Sequence, residues 1–491
     1  MPIDILPDNV FLEIFDFCLR DEPTMFSIQR TNEWQSLVHV CQRWRQIIFA
    51  SPCRLDLHLN CRHGTPIKKS LSFWPATLPL TIDYPWPPFD SHRLLGDYDN
   101  IAAALEHPSR VHGIVIHTAP SLLGEIITIM QKPFPALKHL DLEWYFTNPP
   151  RAIRSSYSRG LPIPESFLGG SSPLLQHLRL KHISFPQLPM FLLSAPNLIT
   201  LELKSIFEND YIPTEAIVTS LATLTRLETL SITFYEYEDM SPSDQYESQL
   251  GLTMGVILPA LTNFRYRGYS NYLEDFLSQI NTPRLDNLRI EYIPHQIEAS
   301  QLSRFINRTA NLKLDRFRNA EVMFCPIGFG VQFDCSLECH QAQLSLDISD
   351  FPFLHEQVPC MANVLGQLVA TLSNVDHLSS GGNNFEPRKM ESTDWLPFFR
   401  LFQAVKALHL TGGVAAYIVS ALEEATDEMV AEVFPALDLI WLDDEGSEGI
   451  MEGNEPAGSM ERFLSLRQLS GRPVTVVDTE YAFFEADRNS L

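Results

Sequence analysis

One pattern of apolar and polar positions recurs along most of the chain. Two apolar residues enclose a variable pair, then a single polar position, then a third apolar residue. It is written as ALKHLDL (136–142), LLQHLRL (174–180), NLITLEL (197–203), RLETLSI (226–232), ALTNFRY (260–266), RLDNLRI (284–290), AVKALHL (404–410) and ALDLIWL (436–442). The final apolar pair alternates with polar residues, as in a strand that buries one face. The central apolar positions are Leu140, Leu178, Leu201, Leu230, Phe264, Leu288, Leu408 and Ile440, and from Leu178 to Leu288 they are 23, 29, 34 and 24 residues apart. Between the strands lie helix-like connections such as IPTEAIVTSLATLT (212–225) and YLEDFLSQI (272–280). Strand, helix and parallel strand at so short a period stack into a solenoid, because no single repeat can bury its own apolar face.

These residues resemble leucine-rich repeats, in an irregular form without the asparagine turn. The expected fold class is α/β, a leucine-rich-repeat solenoid with a parallel concave sheet over residues 111–491, preceded by a small N-terminal helical module. Residues 311–400 fit the template less well. FCPIGFGVQFDCSLECHQAQLSLDIS (324–349) is strand-rich, and NVDHLSS (374–380) is a degenerate repeat. The expectation there is a continuing solenoid with long insertions, the alternative a separate small domain. Residues 56–110, with LDLHLN and LPLTIDYP, are assigned as linker and N-terminal cap of the solenoid. RPVTVVD (472–478) suits a last strand, and the acidic, Gly-rich stretch 443–459 suits a solvated loop.

The first fifty residues follow a different period. Val10, Phe11, Ile14, Phe15 and Cys18 fall on one face of a helix, with Pro7 and Asp8 suited to its first turn. Leu37, Val40, Cys41, Trp44, Ile47 and Ile48 do the same for a second helix, which Ser51-Pro52 stops. Periodicity alone leaves two readings open: a helical pair packed on the rest of the chain, or an amphipathic platform for another protein. The residue identities add to this. Leu6-Pro7, Ile14-Phe15 and Val40-Cys41 with Trp44-Arg45 resemble an F-box, in the long form similar to F-box proteins of mushroom-forming fungi, over residues 1–55. The polar segment 21–33 is longer than in compact F-boxes. The resemblance implies docking on the Skp adaptor of cullin-based ubiquitin ligases, with Leu6, Pro7, Ile14, Phe15, Val40 and Trp44 as adaptor-binding candidates. It implies a substrate-recognition subunit of an SCF-type ligase, whose solenoid holds a client protein. The alternative is a non-catalytic leucine-rich-repeat scaffold without a ligase role.

Composition narrows the partners. Lys plus Arg is 36 and Asp plus Glu is 60, a formal net charge of −24, which argues against general nucleic-acid binding and against anionic membrane. MPIDILPD is not a secretory leader, and no run approaches the ~18 apolar residues of a membrane helix, so a cytoplasmic or nuclear location is expected. Eight cysteines without a CxxC pair suit buried free thiols. Neither His58, Cys61 and His63 nor Cys335, Cys339 and His340 has a zinc spacing with a second half-site, so no metal or other cofactor is expected. No phosphate loop, nucleophile elbow, dinucleotide fingerprint or HExxH is present, and no enzyme activity is expected.

One local reversal of charge stands against the acidic whole. Between 174 and 291 the positions flanking the template leucines carry Arg179, Lys181, Lys204, Arg265, Arg267 and Arg289 against Glu202 and Glu291. Those positions line the polar side of the sheet. The six cations are therefore candidates for binding an acidic or phosphorylated client segment, with Arg265 and Arg267 central, since guanidinium forks match carboxylate and phosphate.

Overall fold

A computed structural model describes residues 6–18, 37–50, 57–62, 66–84, 94–145, 159–235, 255–293, 297–312, 317–334, 343–349, 351, 353–368, 372, 374–382, 392–443 and 460–478. The sequence readings for residues 21–33, for YPWPPF, for 443–459 beyond Asp443, and for Cys53, His63, Cys335, Cys339 and His340 lie outside the described residues. The chain forms two compact units, residues 1–227 and 228–491.

In the first unit, β1 (Leu57–Asn60), β2 (Leu80–Tyr84), β3 (Val111–Thr118), β4 (His139–Trp144), β5 (His177–Lys181) and β6 (Thr200–Ile206) pair in chain order, every pair parallel. The register carries Leu59, Ile82, Ile114, Leu140, Leu178 and Leu201 into one column. All six are buried. The stretch 56–110 thus adds β1 and β2 to the ladder. Each repeat covers the apolar edge of the one before it, and this is what keeps a short-period coil folded.

The second unit continues the same design with one departure. Its strands are β7 (Thr229–Phe234), β8 (Asn263–Gly268), β9 (Asn287–Tyr292), β10 (Asn319–Cys325), β11 (Gly328–Asp334), β12 (Gln343–Ser349), β13 (His377–Gly382), β14 (Ala407–Thr411), β15 (Leu439–Asp443) and β16 (Thr475–Asp478). They lie in the order β7-β8-β9-β12-β11-β10-β13-β14-β15-β16. β11 runs antiparallel to both neighbours, so the expected parallel sheet is parallel everywhere except at this strand. The physical reason is the two-residue connection Pro326-Ile327. So short a link can only turn the chain back as a hairpin, whereas a parallel return needs a crossover of a dozen residues or more. The apolar column survives the reversal, because Leu288, Leu344, Phe333, Ala320, Leu378, Leu408, Ile440 and Val476 stay in register. The strands β10 to β13 therefore belong to the same sheet as the template strands β9 and β14.

Helices pack on the leucine-bearing side. Several of them lack a local cap, and the preceding repeat supplies one. The helix Ser300–Arg308 starts at Ala299, which has no capping side chain. Glu274, on the helix Ser270–Gln279, accepts hydrogen bonds from the backbone N–H groups of Gln301 (2.5 Å) and Leu302 (2.9 Å) and from the Ser300 hydroxyl (3.0 Å). At its other end, Arg308 donates to the carbonyls of Leu277 and Ile280. Glu423 likewise accepts from the N–H groups of Arg462 (3.1 Å) and Phe463 (3.3 Å) at the start of Glu461–Leu469. These contacts satisfy helix-end groups that have no intrahelical partner.

Candidate interaction surfaces

Among the described N-terminal residues, the helices α1 (Asp8–Cys18) and α2 (Gln42–Ala50) pack on each other, and the expected second helix is interrupted by a turn at residues 39–40, so that Leu37, Val40 and Cys41 lie outside α2. The interior of the pair is aromatic. Phe11 and Phe15 are buried, and Trp44 lies 5.7 Å from the first ring and 4.9 Å from the second. Arg43 fastens the entry to α1 by donating to the Leu6 carbonyl (2.6 Å) and to Asp8 (2.9 Å), and it stacks over the Phe11 ring. The six motif residues therefore separate by environment. Phe15 is inside the pair, and Trp44 is packed against both phenyl rings. Leu6 and Ile14 are half-buried, while Pro7 and Val40 face solvent, Val40 with 59% of its surface exposed. An exposed valine of that degree has little to do for the pair itself.

The polar face of the first unit is a compensated charge network. In register across β4, β5 and β6 stand Asp141, Arg179 and Glu202, and beside them Glu143, Lys181 and Lys204. Lys181 reaches Glu143 at 2.7 Å and Lys204 reaches Glu202 at 2.6 Å. Arg179 lies between three carboxylates, Asp141 (3.5 Å), Glu143 (3.6 Å) and Glu202 (3.7 Å). Three cations thus meet three carboxylates. His117 on β3 adds a contact to Asp141 at 3.2 Å. Burial pushes the Asp141 carboxyl up. The His117 hydrogen bond and charge, with the Arg179 charge, outweigh that and hold it below the ordinary carboxylate range.

The polar face of the second unit differs. Its rows run Ser231, Arg265, Arg289, Ser345 and, one step along the strands, Thr233, Arg267, Glu291, Asp347. Arg267 meets Glu291 at 3.3 Å and Arg289 meets Asp347 at 3.2 Å. Both acids stand in the second of these rows. Across these four strands the first row holds two arginines and no carboxylate, and it continues through Gln332 to Glu321 on β10. Arg265 is exposed and makes no hydrogen bond or ion pair among the described residues.

The residues the sequence reading passed over are the acids Asp141, Glu143 and Asp347. Asp141 and Glu143 follow ALKHL at the same template positions as Arg179 and Lys181, so their pairing was legible in the spacing. Asp347 sits in QLSLDIS, whose partner strand is set by the antiparallel insertion and not by the repeat period. Among the described residues no group of His, Cys, Asp and Glu is placed to hold a metal ion. Described cysteines Cys41, Cys61, Cys325 and Cys360 are free thiols, and burial pushes the Cys360 thiol up to about 11. No described helix is long and apolar enough to cross a membrane.

No family model matches the chain, and no curated protein matches it. Among solved structures, it is similar to the leucine-rich repeat-containing protein LegL7 from Legionella pneumophila, with 13% identity and a TM-score of 0.26, over 86% of this chain and 99% of that one. It is also similar to TLR13 in the TLR13–ssRNA13 complex, with 11% identity and a TM-score of 0.29, over 70% of this chain and 44% of that one. At such scores the fold rests on the strand register of the chain itself, and that register is a ladder of strands that carry a buried apolar column in both units.

Proposed function

We propose that this chain is the substrate-recognition subunit of an SCF-type ubiquitin ligase. The N-terminal helical pair docks on the Skp adaptor and through it on a cullin, and the repeat ladder holds a client protein. The observation that carries the reading is Val40. It belongs to the motif that resembles an F-box and lies open to solvent, beside a pair whose interior is already filled by Phe11, Phe15 and Trp44. A large apolar side chain left outside a satisfied core is what a docking face supplies. Pro7 is exposed as well, and Leu6 and Ile14 are half-buried. The ladder offers a broad polar sheet surface, the kind of area that repeat proteins present to other proteins. The mechanism is proximity. Tethering client and ligase core on one chain raises their effective concentration, and no side chain of this subunit needs to enter the chemistry.

The test is binding of the full chain to purified Skp adaptor, measured by titration beside Val40→Glu. The variant places a charge at an exposed position and should fold as the parent does. It is expected to weaken adaptor binding at least tenfold, about 1.4 kcal/mol. Trp44→Ala is the wrong probe, because it removes a ring from the interior of the pair. If the parent chain does not bind the adaptor, the ligase role fails and a leucine-rich-repeat interaction scaffold takes its place.

A further inference from the structure

Building on the substrate-receptor reading, we infer that the client is held through an oxyanion, foremost a phosphorylated side chain, received by Arg265 and Arg289 on the polar face of the second unit. Arg265 and Arg289 occupy adjacent parallel strands in direct register. Like charges placed opposite each other in a sheet oppose its pairing, so an anion lying between or above the two groups relieves that repulsion. Arg289 commits its Nε to Asp347 at 3.2 Å, and half of its side chain stays exposed. Arg265 has no partner among the described residues and is exposed. On the other side of Arg265 stands Ser231, in register on β7, 4% exposed, with a buried hydroxyl that has no hydrogen-bond partner among the described residues. A buried hydroxyl without a partner is disfavoured unless a ligand supplies one.

Donors are therefore grouped on three neighbouring strands, with an unused guanidinium in the middle and no carboxylate at these three facing positions. A phosphate, with three acceptor oxygens and up to two charges, answers that arrangement better than a carboxylate does. The first unit supplies an internal contrast. Arg179 occupies the corresponding template position, but Asp141, Glu143 and Glu202 surround it, so an arriving anion meets three carboxylates. The choice of client thus rests on Arg265 and Arg289, and Arg179, Lys181 and Lys204 hold the sheet of their own unit.

The test uses the full chain and a fluorescent, degenerate phosphoserine peptide library, with matched serine and glutamate libraries, followed by anisotropy. The phosphoserine library is expected to bind, the glutamate library about tenfold more weakly and the serine library not at all. Arg265→Ala should weaken phosphoserine binding at least tenfold and Arg265→Ala with Arg289→Ala abolish it, while Arg179→Ala leaves it within about twofold. Equal loss in Arg179→Ala, or no phosphoserine binding by the parent chain, overturns the inference. Displacement of the peptide by homopolymeric RNA with the same arginine dependence also overturns it, since the surface is then a general polyanion site. Adaptor binding is measured on the same samples. A chain that binds adaptor but no phosphopeptide keeps the receptor reading and loses this site. A chain that binds phosphopeptide through Arg265 but no adaptor keeps the site and loses the ligase role.

Discussion

Arg179 in the first unit and Arg265 in the second hold the same place in the repeat, two residues before the end of the template's polar row, and their surroundings are opposite. Arg179 lies among Asp141, Glu143 and Glu202, whereas Arg265 has Ser231 on one side and Arg289 on the other. The difference arises in the neighbouring strands. In a parallel ladder the residue beside a given position comes from another repeat, so the role of an arginine is set by residues some twenty to forty places away in sequence. The cations of the first unit serve the cohesion of a polar sheet face. In the second unit Arg265, of the same residue type, is exposed and has no partner among the described residues.

The strongest way to break the contrast is to remove the register itself. Leu288 is buried in the apolar column one residue before the row of Arg265 and Arg289, and Leu288→Ala is expected to cost about 2–5 kcal/mol through lost burial and the cavity left behind. Chemical denaturation measures it. A loss under 1 kcal/mol would mean that the column is not a packed core. Loss of phosphopeptide binding with retained adaptor binding would separate the ladder from the helical pair.

A gentler change sharpens the contrast. Glu143→Gln removes the carboxylate that holds Lys181 at 2.7 Å and helps to hold Arg179. Both cations are about a third exposed, so solvent screens the pair, and the expected loss is about 1 kcal/mol. The informative readout is binding. With one acid gone, the first unit should begin to retain the phosphoserine library weakly. A variant as blind to the library as the parent's first unit would show that charge balance is not what silences this face.

The smallest expected effect depends on pH and is confined to the first unit. His182 follows β5 with a left-handed backbone (φ 60°) and donates from Nδ1 to the Trp144 carbonyl at 2.8 Å, while Trp144 Nε1 donates back to the His182 carbonyl. Burial holds its imidazole below the ordinary value of 6.5. The unfolded chain therefore takes up a proton near pH 6.5 that the folded chain accepts only at lower pH. The stability of the neutral, buried ring is complete above about pH 6.5 and is lost as the pH falls below it. Asparagine tolerates the left-handed backbone and can keep the donor, so His182→Asn should reduce the fall in melting temperature between pH 7.5 and 5.5. An identical fall in both proteins would remove His182 as its source.

Much of the architecture was legible before any coordinates. The template leucines Leu140, Leu178, Leu201, Leu230, Leu288 and Leu408, with Phe264 and Ile440, are all buried, because alternation at period two fixes which side of a strand faces the core. The aromatic and aliphatic face of α1 was equally plain from a period of 3.6. Both are local rules, set by backbone geometry within a few residues. Tertiary structure decided what no local rule reaches. It decided that Phe15 closes the interior of the helical pair, because that depends on how two helices meet, while Val40 stays outside in the turn before α2. It placed the reversed strand β11 between β12 and β10, and with it the neighbours of Arg289. It supplied helix caps from Glu274 and Glu423, residues that stand in other helices and carry no capping signal in sequence. It also gave six similar cations different charge surroundings, since the field at each is set by the strand beside it, and strand neighbours follow from topology rather than from the order of residues along the chain.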